Sequence, residues 1–227
     1  AKLISFDTTS ALSNLELIDF VADYLNGHGI SSIRVFNEEK TKANLIATIG
    51  PEIEGGVVLS GHTDVVPVTG QAWTSDPFQM VANDGRLQGR GTSDMKSFIA
   101  CCLAMVPDLV QRKLAVPVHF AFSYDEEVGC LGAPDLSRHI QGLSCRPQAL
   151  IVGEPTEMKV VNAHKGCCAI KTTVTGLEGH SSETHKGVNS IFAAMELIRY
   201  LADRAEEFKT TNVDPRFDPP YTTVQVG

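Results

Sequence analysis

The sequence predicts an α/β fold on three observations. Short apolar runs bounded by turn residues recur at 44–49, 57–61, 117–124 and 149–152, with the length and content of buried strands. Two longer stretches, 13–26 and 95–106, carry helical spacing instead. Three of the strand-like runs end in histidine or carboxylate residues, as strands do at the carboxyl edge of open α/β sheets, where sites form.

The elements follow in order. Residues 13–26 place apolar side chains at 15, 17, 18, 21, 22 and 25, with Ser13 as N-cap and Gly27 or Gly29 as the stop. Strands follow at 31–36, 44–49 and 57–61. Residues 68–93 read as a long polar loop with a turn signal at Asn83-Asp84-Gly85, pinned by aromatic packing around Trp73. A helix spans 95–106 and ends near Pro107. A strand at 117–124 runs into Asp125-Glu126-Glu127, a short helix covers 131–140, and the strand 149–152 ends in Gly153-Glu154-Pro155-Thr156. Further on, Ile170, Thr172 and Val174 alternate in a strand at 168–175, a helix covers about 188–208, and 222–226 is strand-like.

Composition excludes several function classes. A chain of 227 residues with 43% hydrophobic content can build a core, as one large or two small domains. Its net charge of −8 argues against nucleic acid or an anionic membrane surface as partner. No run of eighteen apolar residues predicts a transmembrane helix, and no basic-then-apolar leader is visible. The six cysteines, two adjacent pairs among them, form neither a disulfide framework nor a Cys-x-x-Cys knuckle, so reduced, mostly buried thiols in a cytoplasmic protein are expected. Both ends fall in mid-pattern, which is the expectation for part of a longer chain.

The chemistry concentrates where the strands end. In Ser60-Gly61-His62-Thr63-Asp64 the imidazole and the carboxylate are two positions apart, so they share one strand face. That spacing suits a metal-binding imidazole whose other ring nitrogen is held by a carboxylate. Asp94 opens the second helix, Glu126 and Glu127 leave the third apolar strand, and Glu154 leaves the fourth. Singly, each has a plainer reading: a helix cap, a solvated loop, a strand-end pair. Together they bring like charges to one edge, and like charges gathered in one place need a cation between them. One imidazole with three carboxylates suits zinc or a similar divalent ion, and a carboxylate left over can act as general base.

These motifs resemble a known family. Gly61-His62-Thr63-Asp64, Gly91-Thr92-Ser93-Asp94-Met95-Lys96, Asp125-Glu126-Glu127, Gly153-Glu154-Pro155-Thr156 and Gly179-His180-Ser181-Ser182 occur in the order found in the dinuclear zinc amidohydrolases that include acetylornithine deacetylase, succinyl-diaminopimelate desuccinylase and carboxypeptidase G. The resemblance covers residues 4–227 and implies a mixed-sheet, zinc-peptidase-like catalytic domain at 1–163, with an inserted α+β lid and dimerisation domain beginning at 164–227. It implies two divalent metal ions, zinc or cobalt: His62 and Glu154 on the first, Glu127 on the second, Asp94 bridging, Asp64 clamping His62, and Glu126 as catalytic base. A second-metal histidine would lie beyond Gly227. His180 corresponds to the lid histidine that crosses a homodimer to the other subunit's site. Within the family, Ser123-Tyr124-Asp125-Glu126-Glu127-Val128-Gly129-Cys130 and His164-Lys165-Gly166 are most similar to the acetylornithine deacetylase branch, implying a small acetylated amino acid as substrate. The alternatives are a sister desuccinylase or aminoacylase-type carboxypeptidase of the same family, or a metal-poor, non-catalytic dimerising protein of the same fold.

Overall fold

A computed structural model describes residues 1–227, which divide into two compact units, Ala1–Met158 and Lys159–Gly227. The first is built on a five-stranded mixed sheet of order β1-β2-β6-β3-β7. Its strands are β1 (Ser32–Phe36), β2 (Ala43–Ile49), β3 (Val57–His62), β6 (Val118–Ser123) and β7 (Ala149–Val152). β1, β2 and β6 pair antiparallel, whereas β6, β3 and β7 run parallel. Three consecutive sheet positions therefore deliver their C-terminal ends to one edge. This is the mixed α/β sheet expected from the sequence.

Alternation along the strands sorts the core. Leu45, Ala47 and Ile49 of β2 and Phe120 and Phe122 of β6 face α1 (Leu15–Gly27) and α2 (Lys96–Gln111). Ile46, Val58 and Ala121 face the opposite side, against Leu136 of α3 (Ala133–Gln141). Strands covered on both faces read as continuous apolar runs, which is why β2, β3 and β6 stand out in the sequence. α1 starts where Leu15 N–H donates to Ser13 Oγ at 3.2 Å. Asn14 directs its amide outward, donating to Ala43 O and Thr63 Oγ1 at 2.9 Å each, and so ties the helix start to the ends of β2 and β3.

Several expectations need correction. α2 does not stop at Pro107 but runs through it to Gln111. The proline removes the N–H that would reach Leu103 O four residues back, and the Tyr24 hydroxyl donates to that carbonyl instead, at 3.1 Å. The 68–93 loop contains a hairpin, β4 (Val81–Asn83) and β5 (Arg86–Gln88). Its two-residue turn, Asp84-Gly85, has positive φ at both positions, the backbone that Asp-Gly favours because its twist matches the strands. Trp73 is held not by other aromatics but by the Arg90 guanidinium, 5.3 Å above its ring, with Gln71 accepting from both side chains. The cysteines are all free, yet only Cys102 is buried; four are exposed. Burial pushes the Cys102 thiol up to about 12, so it is inert core rather than a ligand.

The second unit carries α4 (Ser190–Thr211), capped by Asn189, whose side chain accepts from the N–H groups of Ile191 and Phe192. The strands expected at 168–175 and 222–226 are not formed; isolated bridges join Leu177 to Val188 and Val213 to Tyr221. Alternation marks residues able to line a sheet face, but a strand also needs a neighbour to take its N–H and C=O groups. No neighbour pairs with 168–175 here, and Ile170 stays 82% exposed. No helix of the chain is long and apolar enough to cross a membrane.

Candidate metal centre

His62 is the last residue of β3, and its side chain is almost fully buried. Its Nδ1 lies 2.9 Å from the backbone oxygen of Asp64 and 3.4 Å from that residue's Oδ1. The clamp read from the spacing therefore works through the carbonyl as well as the carboxylate. Either acceptor places the proton on Nδ1 and turns Nε2 outward. Nε2 then faces three carboxylates: Asp94 Oδ1 at 2.9 Å, Glu154 Oε1 at 3.8 Å and Glu126 Oε2 at 4.0 Å.

Each carboxylate has its own support. Asp94 precedes α2 and makes no side-chain capping bond; its carboxylate faces His62 rather than the helix. Glu126 and Glu127 follow β6 through Asp125, whose φ of +54° turns the chain sharply. Asp64 receives that turn: its Oδ1 accepts from Glu126 N–H at 3.0 Å and its Oδ2 from Glu127 N–H at 3.2 Å. Glu154 leaves β7 after Gly153, whose N–H extends the ladder to Ser60 O. A Cβ on Gly153 would sit 2.0 Å from Phe98 Cγ, so only glycine lets the ring of α2 lie against this turn. Gly153→Ala is expected to displace Phe98, separate Glu154 from Asp94 and weaken metal binding by about tenfold or more, the scale of lost support around ligands. Competition against a chromogenic chelator measures this, and unchanged affinity would contradict it.

The electrostatics describe a site short of positive charge. Burial and then the Asp94 charge push Glu127 above the usual carboxylate range. Glu154 is also raised, by burial first and by Asp94 and Glu126, against the opposing pull of His62. Burial alone would lower His62, but the hydrogen bond and charge of Asp64 and the charge of Glu154 push it up to about 9. Burial would likewise raise Asp64, yet hydrogen bonds from His62, Ser10 and the Glu126 N–H hold it below its ordinary range. Raised in this way, His62 supplies positive charge among the surrounding carboxylates.

Two groups of donor atoms lie within 4.8 Å of one another: His62 with Asp94 and Glu154, and His62 with Glu126 and Glu127. An imidazole with carboxylate oxygens, converging and mutually repelling, fits a divalent ion of the zinc type. The first group is the one assigned to the first metal from the sequence. In the second, Glu127 is grouped with Glu126 rather than with Asp94. His180 belongs to the second unit; it is exposed and its Nδ1 pairs with Ser182 Oγ at 2.8 Å.

Several supporting residues carry no motif signal. Ser10 Oγ donates to Asp64 Oδ2 at 2.7 Å and Thr8 Oγ1 to Thr63 O at 2.5 Å, so the N-terminal segment braces the end of β3. The Lys96 ammonium is buried, donates to Phe6 O at 2.8 Å, and is pushed down to about 8 by burial. Its place in Gly91–Lys96 was visible, but nothing in that spacing shows that it reaches the N-terminal segment. Cys130 Sγ lies 3.7 Å from Glu126 Oε1, a contact set by the same sharp turn.

Peptidase family M20/M25/M40 matches residues 58–224. The chain belongs to this family. It is 37% identical over 222 residues to acetylornithine deacetylase of Proteus mirabilis (strain HI4320), covering 97% of this chain and 56% of that protein. It is equally identical over 234 residues to acetylornithine deacetylase of Pasteurella multocida (strain Pm70), covering 100% of this chain and 60% of that one. The chain thus spans somewhat over half the length of these relatives. Among solved structures, human carnosine dipeptidase 1 superposes with a TM-score of 0.59 at 21% identity, over 66% of this chain and 36% of its own. An M20 family metallo-carboxypeptidase from Sulfolobus solfataricus gives 0.59 at 20%, over 67% and 35%. These likenesses show the fold. The family's description is that of peptidases.

Proposed function

We propose that the protein containing this chain is a dinuclear zinc amidohydrolase that removes the acetyl group from N-alpha-acetylornithine, giving ornithine and acetate, in amino-acid biosynthesis. The observation that carries the reading is the convergence of Asp94, Glu126 and Glu154 on His62 Nε2 at the carboxyl edge of three parallel strands. The similarity to two acetylornithine deacetylases supports the substrate.

In this reading His62, Asp94 and Glu154 would hold one ion, and Glu127 and Asp94 would serve a second; cobalt suits the same donors. Bound there, the metal would polarise the amide carbonyl and acidify a water. Glu126 takes the proton of the attacking water and passes it to the leaving nitrogen. Its N–H is anchored on Asp64, so its carboxylate is held at the edge of the donor cluster while the carboxylate itself stays accessible to water. Asp64 keeps His62 in one tautomer throughout. The second unit would form the start of a lid through which two copies pair in the cytosol, with His180 of one copy donating to the oxyanion in the other.

A substrate comparison tests this. The gene product containing this chain, supplied with zinc or cobalt, is expected to prefer N-alpha-acetylornithine over N-succinyl-diaminopimelate and acetylated neutral amino acids in kcat/KM. Preference for another member of the panel would move the protein to a sister activity and keep the mechanism. No cleavage of any member by metal-loaded protein would end the hydrolase reading.

A further inference from the structure

The first acid of the Asp125-Glu126-Glu127 run, Asp125, is not among the candidate metal donors. Its carboxylate turns the other way and meets Lys42, whose Nζ lies 2.5 Å from Asp125 Oδ1. Both side chains are nearly dry, at 13% and 9% exposure. The same ammonium donates to the backbone oxygen of Ser10, and Ser10 Oγ reaches Asp64. Asp64 in turn accepts the N–H groups of Glu126 and Glu127. A closed network results, in which Lys42 holds both ends: the residue that makes the turn and the segment that fixes the turn's acceptor.

We infer that Lys42 is a positioning residue for the acidic turn, aiming Glu126 and Glu127 by pairing Asp125. The physical reason is the backbone. Asp125 sits at φ +54°, in the left-handed region that few non-glycine residues adopt; aspartate enters it more readily than most, and its contacts here help to hold it. Asp125 is followed at once by Glu126, so a change in its φ and ψ swings both glutamates. A charge pair in a nearly dry site, with the ammonium also donating to a carbonyl, is the kind of contact that can hold such a turn. Removing one partner leaves the other charge buried and unpaired, so the turn reopens to water. Lys42 lies beside β2 and belongs to no motif; the pairing is visible only once β2 and β6 are neighbours.

The test combines an activity-independent readout with kinetics and rests in its second part on the hydrolase reading. In the metal-free protein, Lys42→Met is expected to speed amide hydrogen exchange at Glu126 and Glu127 by about tenfold or more, while Phe120–Phe122 of β6 keep their protection. In the metal-loaded protein it is expected to lower kcat by about tenfold or more with KM within about threefold, since the loss is one of aim. Asp125→Asn should do the same, and the double variant should be no worse than either single one, because the two groups act as a unit. Unchanged exchange at Glu126 and Glu127 would overturn the inference. So would equal acceleration through β6, kcat within threefold of the parent, or losses that multiply in the double variant. A parent that binds metal yet cleaves none of the panel would end the hydrolase reading, and the exchange comparison would then decide the role of Lys42.

Discussion

Glu126→Ala is expected to retain metal and lose about a thousandfold in kcat, the range a positioned general base contributes. Metal is kept because His62, Asp94, Glu154 and Glu127 all remain, and because the Glu126 N–H that anchors on Asp64 is backbone and survives the substitution. KM should change little, since the carboxylate acts on the proton of water rather than on the substrate's binding groups. Metal content by atomic absorption and steady-state kinetics on the same preparation separate the two effects. Turnover within tenfold of the parent, about 1.4 kcal/mol in the barrier, would remove Glu126 from the role of base.

The second large effect is on metal affinity and its pH dependence. In the metal-free protein His62 is pushed up to about 9, so at neutral pH its imidazole is protonated and its Nε2–H faces the Asp94 carboxylate. An incoming cation must displace that proton. Apparent affinity should therefore rise by about tenfold per pH unit from pH 7 and level off near pH 9, one proton being released at His62. The sign for folding is the reverse. A raised folded-state pKa stabilises the metal-free protein fully below the ordinary histidine value, and that contribution is lost as pH rises through about 9. High pH thus loosens the empty fold while it strengthens metal binding. His62→Gln should abolish the pH slope and weaken binding by about a hundredfold or more, since it removes the one buried donor. Calorimetric titration in buffers of different ionisation enthalpy counts the protons released. A flat affinity profile between pH 7 and 9 would contradict this account.

Much of this site can be read from the sequence because histidine and carboxylate residues at strand ends leave short, ordered marks. His62 and Asp64 share a face by spacing alone, and Glu126 and Glu154 each follow an apolar run that becomes β6 or β7. What cannot be read is whatever depends on pairing across the sheet. Lys42, Ser10 and Asn14 are isolated polar residues until β2, β3 and β6 are adjacent, and only then do they reach Asp125, Asp64 and Thr63 respectively. Local rules also failed where a distant group compensates. Pro107 stays inside α2 because Tyr24 serves the carbonyl it leaves free. The 168–175 segment carries the alternation of a strand, but alternation says nothing about whether a partner is at hand. The Asp84-Gly85 turn was legible as a turn; the flanking three-residue strands were too short and too polar to show.

The central claim is that the His62 cluster binds a divalent metal and uses it to cleave an N-acyl amino acid. The most direct measurement is acetate release from N-alpha-acetylornithine by chelator-treated protein as zinc is added back in steps, with bound metal counted at each step. The account predicts no release at zero metal, then activity that rises with occupancy and saturates when the donor groups around His62 are filled. Release that is indifferent to chelation, or full occupancy with no release from this substrate or its acylated analogues, would contradict it.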